Sequence, residues 1–139
     1  LYQFPRLGVS AAIWRDGKVL LAQRGKEPLK GIWSLPGGSV ELGEEVRKAA
    51  LRELKEETGI EADLAGVVDV ADVIRRDASG AVTFHYAVVC FAGRWTAGEA
   101  VAGDDAMAVA WATSDEMPRF ALTQGTAKII RASHRILNI

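Results

Sequence analysis

Cysteine is almost absent: Cys90 alone occurs in 139 residues, so no disulfide can form within the chain. It lies in the apolar run from Tyr86 to Phe91. With no second Cys or His at ligand spacing, it reads as a small core residue. No stretch approaches the ~20 apolar residues of a transmembrane helix, and no secretory pattern opens the chain. The expectation is therefore no membrane association and a reducing, cytoplasmic setting. Charge of one sign is also scarce. The net charge of −1 excludes the broad electrostatic grip of a protein that binds nucleic acid polymers, and leaves room for a small phosphorylated ligand held by local charge. Repeats, low-complexity tracts and linkers are missing as well, so residues 1–139 are expected to form a single domain.

What is present is a globular composition, 49% hydrophobic and 25% charged, in a chain long enough to bury a core without staples. Gly8 to Trp14 and Val19 to Gln23 read as strands joined by a turn with Asp16-Gly17 at its centre. Gly25 to Gly31 is a polar loop, and Ile32 to Leu35 a short extended piece ended by Pro36-Gly37-Gly38. Gly43 to Thr58 is rich in good helix formers, with Gly59 where a C-terminal glycine cap belongs. Two long strands are expected over Leu64 to Arg75 and Ala81 to Trp95, turning at Asp77-Ala78-Ser79-Gly80. An acidic loop, Ala97 to Asp105, leads to a strand over Ala106 to Ala112. Leu122 to Leu137 reads as a helix with Ile129, Ile130 and Ile136 inward. Strands interleaved with helices give an α/β (α+β) class with a mixed sheet flanked by helices.

The helix carries the chemistry. Glu53, Glu56 and Glu57 stand at i, i+3 and i+4 and share one face. Val46, Ala50, Leu51 and Leu54 occupy a neighbouring arc suited to the core. Three carboxylates on one face repel one another, and acids near a helix C-terminus oppose the macrodipole. Divalent cations offset both costs. Mg²⁺ prefers oxygen ligands and bridges carboxylates to substrate phosphates. An acidic run on a helix is also a common solvated face, and Arg47, Lys48, Arg52 and Lys55 are near enough to pair with it. The helix alone leaves both readings open. The glycine pair Gly37-Gly38 ahead of it permits the close backbone approach an ion or phosphate site needs.

Gly38, five residues, Glu44, seven residues, then Arg52-Glu53-Leu54-Lys55-Glu56-Glu57-Thr58-Gly59-Ile60 resembles a complete Nudix box. Every fixed position and both apolar positions match. Seven fixed residues at about 7% each would coincide on the order of once in 10⁸ starts, so accident is excluded. The lead-in Gly31-Ile32-Trp33-Ser34-Leu35-Pro36-Gly37-Gly38 fits the same pattern.

The resemblance implies an α/β/α sandwich and an enzyme that hydrolyses a nucleoside diphosphate linked to a further group, with Mg²⁺ or Mn²⁺ as cofactor. Carried onto this sequence, Glu53, Glu56 and Glu57 are expected metal ligands, with the Gly38 carbonyl a further one. Arg52 is expected to orient the carboxylates, and Glu44 to support the helix or the metal shell. The general base is either a box glutamate or an acid of the later loop, where Asp104 and Asp105 lie with Glu99 nearby. Arg24 at the end of the second strand is a candidate phosphate contact.

Substrate identity is less marked. Asp72 to Asp77, Gly80, Phe84-His85-Tyr86, Gly103-Asp104-Asp105-Ala106 and Trp111 are similar to the bacterial ADP-ribose pyrophosphatase-like branch of the family. The expected substrate is ADP-ribose, cleaved to AMP and ribose 5-phosphate. A MutT-like nucleoside triphosphate pyrophosphohydrolase is the alternative, and a non-catalytic nucleotide-sensing module the alternative of another class. Trp33, just before the glycines, is the aromatic best placed to stack on a base. Phe84 and Tyr86 share one strand face with His85 on the other, and read as core. Dimers recur in the family, so a homodimer is an open expectation.

Overall fold

Both faces of the segment Arg6–Arg15 (β1) are apolar, which requires a cover on each side. The computed structural model, which describes residues 4–139, supplies both covers. Val9, Ala11 and Ile13 pack toward one helix layer, and Ala12 and Trp14 toward the other; all five are at most 4% exposed. Asp16 and Gly17, both with positive φ (50° and 77°), make the tight turn that matches strand twist. They return the chain into Lys18–Arg24 (β2).

β1 and β2 stay paired only beside this turn, Trp14 opposite Val19 and Arg15 opposite Lys18. Beyond it, Trp33–Ser34 (β3) pairs with β2, and Gly37–Ser39 (β4) pairs with β1. The Ala11 amide donates to the Pro36 carbonyl at 3.0 Å. The hairpin thus opens, and the glycine segment is laced into the opening. On its other edge β1 runs parallel to Val82–Ala97 (β6). β6 pairs antiparallel with Glu61–Arg76 (β5), and Ala106–Ala112 (β7) closes onto β2.

The helix Val46–Thr58 (α1) covers one face. Its Ala49, Ala50 and Leu54 are buried against Val9, Phe91, Ala11, Leu20 and Ile60. Removing a side chain such as Leu54 or Ile60 from water is worth about 1.5–3 kcal/mol. On the other face lies Thr126–Leu137 (α2), whose Ile129, Ile130 and Leu137 join Trp14, Val19, Leu21 and Cys90. The result is the expected mixed sheet between helices.

Two helix starts and one inward position differ from the sequence reading. α1 begins at Val46, not Gly43. Gly43 is left-handed at φ 83°, and Glu45 is extended at φ −70°, ψ 141°, as the residue before the first turn. α2 begins at Thr126 behind Gly125, at φ 84°. The chain before it forms a short 3-10 helix, Ser114–Arg119, closed by reciprocal Thr113 and Glu116 caps. Ile136 is 47% exposed rather than inward, while Leu137 is 3% exposed. The buried stripe runs Thr126, Ile129, Ile130, Ser133 and Leu137, and Ile136 falls about 100° off it. Among the described residues, no helix is long and apolar enough to cross a membrane.

Candidate active site

The site grows from the meeting of β4 with the second half of α1. A β-carbon on Gly38 would collide with the Glu53 carboxyl group, and one on Gly37 with the Val9 carbonyl. Only glycine lets this strand lie flush between β1 and the helix. The close fit aims the Gly37 amide at Glu57, to whose carboxylate it donates at 3.4 Å.

Arg52 organises the acids around it. Its Nε and one terminal nitrogen grip both oxygens of Glu44 at 2.7 and 3.0 Å. The other terminal nitrogen donates to Glu53 at 2.9 Å and to Glu56 at 3.1 Å. A further donor reaches the Ser39 carbonyl at 3.0 Å. One guanidinium therefore ties the loop after β4 to two of the helix acids with the planar fork only arginine offers. The Glu44 carboxyl is held low, first by this bond and then by the Glu41 amide. Glu44 thus braces Arg52, which links this distant acid to the other three.

Glu53 and Glu57 are pushed the other way. Burial raises the Glu53 carboxyl, opposed by Arg52 and reinforced by Glu56. Burial raises Glu57 further, to about 7, with Glu53, Asp104 and Asp105 adding repulsion against the single helpful Gly37 amide. This is the charge frustration that the helix pattern implied.

The loop from Gly98 to Asp105 brings in the last acids. The Val101 and Gly103 amides donate to the Thr58 and Glu57 carbonyls, each at 2.9 Å, so the loop caps the end of α1 while crossing it. The approach is close enough that a β-carbon on Gly103 would lie 2.6 Å from the Glu56 carbonyl oxygen. Asp104 follows in a left-handed conformation, φ 49°. Carboxylate oxygens of Glu53, Glu56 and Asp104 then lie within 4.8 Å of one another. These donors, with the Glu57 carboxylate beside them, are all hard oxygens. They suit a divalent metal of the Mg²⁺ type. Asp105 instead pairs with Lys26 at 2.7 Å, and Glu99 lies away from the acids, near Arg15 at 3.9 Å.

Two chambers meet here. The inner one, about 330 Å³, is lined by Glu53, Glu57, Asp104, Asp105 and the glycines of β4. The outer one, about 480 Å³, is walled by Val73, Phe84, Tyr86, Val88 and the loop residues Pro28 and Leu29. Arg24, Ser34, Gly38 and Ser39 line both, so Arg24 sits at the junction, its Nε anchored on the Pro28 carbonyl at 2.6 Å. Trp33 lines neither chamber. Its ring meets Phe120 edge-on at 5.1 Å and packs against the α2-side core, which corrects the expectation that it stacks on a base. The aromatics that do face a chamber are Phe84 and Tyr86. Their alternation was visible in the sequence; that the loop after β2 would border a chamber against them was not.

The chain matches the NUDIX domain family over residues 4–133. It is 37% identical over 121 residues to an ADP-ribose pyrophosphatase of Methanocaldococcus jannaschii, covering 87% of this chain and 69% of that protein. It is 35% identical over 127 residues to the CTP pyrophosphohydrolase of Escherichia coli, covering 89% and 87%. The crystal structure of a MutT NUDIX hydrolase from Burkholderia pseudomallei superposes with a TM-score of 0.80 at 33% identity, covering 94% of this chain and 98% of that one. The chain belongs to the NUDIX family. It is a Nudix hydrolase, an enzyme of diphosphate bonds, and Nudix hydrolases generally use a divalent metal.

Proposed function

We propose that this enzyme hydrolyses ADP-ribose to AMP and ribose 5-phosphate with Mg²⁺, for which Mn²⁺ can substitute. The observation that carries the reading is the pair of chambers: an acid-lined one for the diphosphate opening into an apolar one large enough for a nucleoside. The likeness to an ADP-ribose pyrophosphatase supports the choice of substrate.

Glu53, Glu56, Glu57 and the Gly38 carbonyl would hold the metal, which when bound neutralises phosphate charge and lowers the pKa of water. Arg52, braced by Glu44, keeps the carboxylates in register. Arg24 at the junction steadies a phosphate oxygen. Asp104 takes the proton of the attacking water. Among the described residues it forms no ion pair, whereas Arg52 holds Glu53 and Glu56 and Lys26 holds Asp105. The water oxygen forms a new bond to phosphorus, the bridging P–O bond breaks, and the departing phosphate keeps the electron pair. A free nucleotide suits the near-neutral net charge, and a single buried thiol suits a reducing cytoplasm.

One alternative has its own support. The CTP pyrophosphohydrolase likeness spans most of both chains, and a MutT-like enzyme would release pyrophosphate. Product analysis on ADP-ribose, other nucleoside diphosphate sugars, dinucleotides, nucleoside triphosphates and oxidised dGTP separates the two. AMP and ribose 5-phosphate formed fastest from ADP-ribose is the expected result. Fastest pyrophosphate release from a triphosphate would replace it with the MutT-like reading. Activity is expected to vanish in chelator and return with Mg²⁺; chelator-resistant turnover would remove the metal mechanism.

A further inference from the structure

We infer that Gly25 and Lys26, just past the end of β2, are positioning residues for Asp104: they clamp the residue after it, Asp105, by backbone and by side chain. The inference rests on the reading above that Asp104 takes the proton of the attacking water, and goes beyond it in naming what holds that carboxylate in place.

Asp104 needs such a hold. Its φ of 49° is a left-handed conformation that residues other than glycine adopt at a cost, and that persists where the surroundings over-determine it. Upstream, the Gly103 amide is fixed on the Glu57 carbonyl. The Ala106 amide closes the turn onto the Gly103 carbonyl at 3.0 Å. Downstream, the β2–β7 ladder slips by one residue: Gln23 faces Ala108 and Arg24 faces Ala106, with Met107 extra on β7. Such a bulge bends a strand and re-aims its end. Here it carries Asp105 over Gly25.

Three features then lock Asp105. The Gly25 amide donates to its carbonyl at 2.8 Å. A β-carbon on Gly25 would lie 2.8 Å from that same oxygen, so the approach needs glycine. Lys26 Nζ meets the Asp105 carboxylate at 2.7 Å. The seat is itself tied down, because the Arg24 amide donates to the Ile32 carbonyl at 2.9 Å and the Gly31 amide to the Arg24 carbonyl at 2.8 Å. Lys26 lines neither chamber, so its charge acts through Asp105 and not on a substrate held there. An exposed ion pair adds little to stability. Its value here is geometric, since misplacing a reacting group by about 1 Å can cost about a hundredfold in rate.

The test uses Lys26→Met, Lys26→Arg, Asp105→Asn and the double variant of Lys26→Met with Asp105→Asn. Each is given ADP-ribose and CTP with Mg²⁺, and rates are read on whichever is cleaved faster. Lys26→Met and Asp105→Asn should each lower kcat about tenfold, with KM within about twofold and Tm unchanged. The double variant should fall no further than either single one, and Lys26→Arg should stay near the wild-type rate. A second measurement needs no substrate. In chelator, Lys26→Met should speed hydrogen exchange of the Gly25 and Ala106 amides about tenfold and leave the Ala11 amide, bonded to Pro36, unchanged. Unchanged exchange at both amides overturns the inference. So does an unchanged kcat in Lys26→Met when Asp104→Asn is slow, or a rise in KM alone, which would put Lys26 on the substrate. A fall in Asp105→Asn far beyond that of Lys26→Met would make Asp105 the base and overturn it too. Asp104→Asn separates the two readings, with a loss of about a hundredfold or more expected. A wild-type rate there would refute the proton-accepting role of Asp104, while faster amide exchange in Lys26→Met would leave the clamp standing.

Discussion

The two chambers share four lining residues and are built on opposite principles. In the inner one, the helix acids are held by a shared guanidinium and a backbone amide. Arg52 alone binds Glu44, Glu53 and Glu56, and β4 is held so tightly that two positions accept only glycine. In the outer one, the walls are side chains projecting from a long hairpin, with Pro28 and Leu29 of the loop after β2. The inner chamber is preorganised for charge, the outer for shape. Damage inside should therefore appear in kcat, and damage outside in KM.

The sharpest way to break that division is at the acids. Glu56→Gln and Glu57→Gln are each expected to lower kcat by two to three orders of magnitude with folding retained, as steady-state kinetics and circular dichroism would show. A normal rate in both would refute their metal role. Next comes the organiser. Arg52→Lys keeps the charge but loses the fork, so kcat should fall roughly 10–100-fold with KM little changed. A pure KM effect would place Arg52 on the substrate rather than behind the carboxylates.

A third test reads stability. Glu57 titrates near 7 in the folded, metal-free protein, against an ordinary 4.5. The folded state therefore holds the proton more tightly. Its contribution is fully present below about pH 4.5 and is lost as pH rises toward 7, up to roughly 3 kcal/mol in all. In chelator, Glu57→Gln should be more stable than wild type at pH 8, with the gap closing at pH 5, by urea denaturation. A constant gap at both pH values would contradict the buried charge. The smallest effect belongs to Trp33→Phe, which should leave KM within about twofold because the ring faces Phe120 and not a chamber; a large rise in KM would return it to the base site.

The same contrast explains what could be read from the sequence. The inner chamber is encoded in one continuous run from Gly38 to Ile60, where helical spacing places the acids together before any tertiary contact forms. Even there, glutamates with good helix propensity extended α1 too far, because Glu44 is committed to Arg52 and Gly43 is left-handed. Asp104 was legible only as an acid in a plausible loop; the amide bonds that bring it to the helix are invisible in residue types. The outer chamber draws on β1, β5, β6 and two loops. Trp33 was favoured by nearness along the chain, but the pairing of β3 with β2 and the docking of Phe120 turn it into the core.

The loop that crosses the end of α1 has one more consequence. Because the amides of Val101 and Gly103 cap the Thr58 and Glu57 carbonyls, the backbone that carries Asp104 cannot move away from the glutamates unless those two amides are released. Their solvent exchange is thus a gauge of how often the site loosens. A metal held by the glutamates, by stiffening the end of α1 on which the loop is capped, should slow both together, while leaving the amides around the Asp77 turn at the far tip of the hairpin as they were.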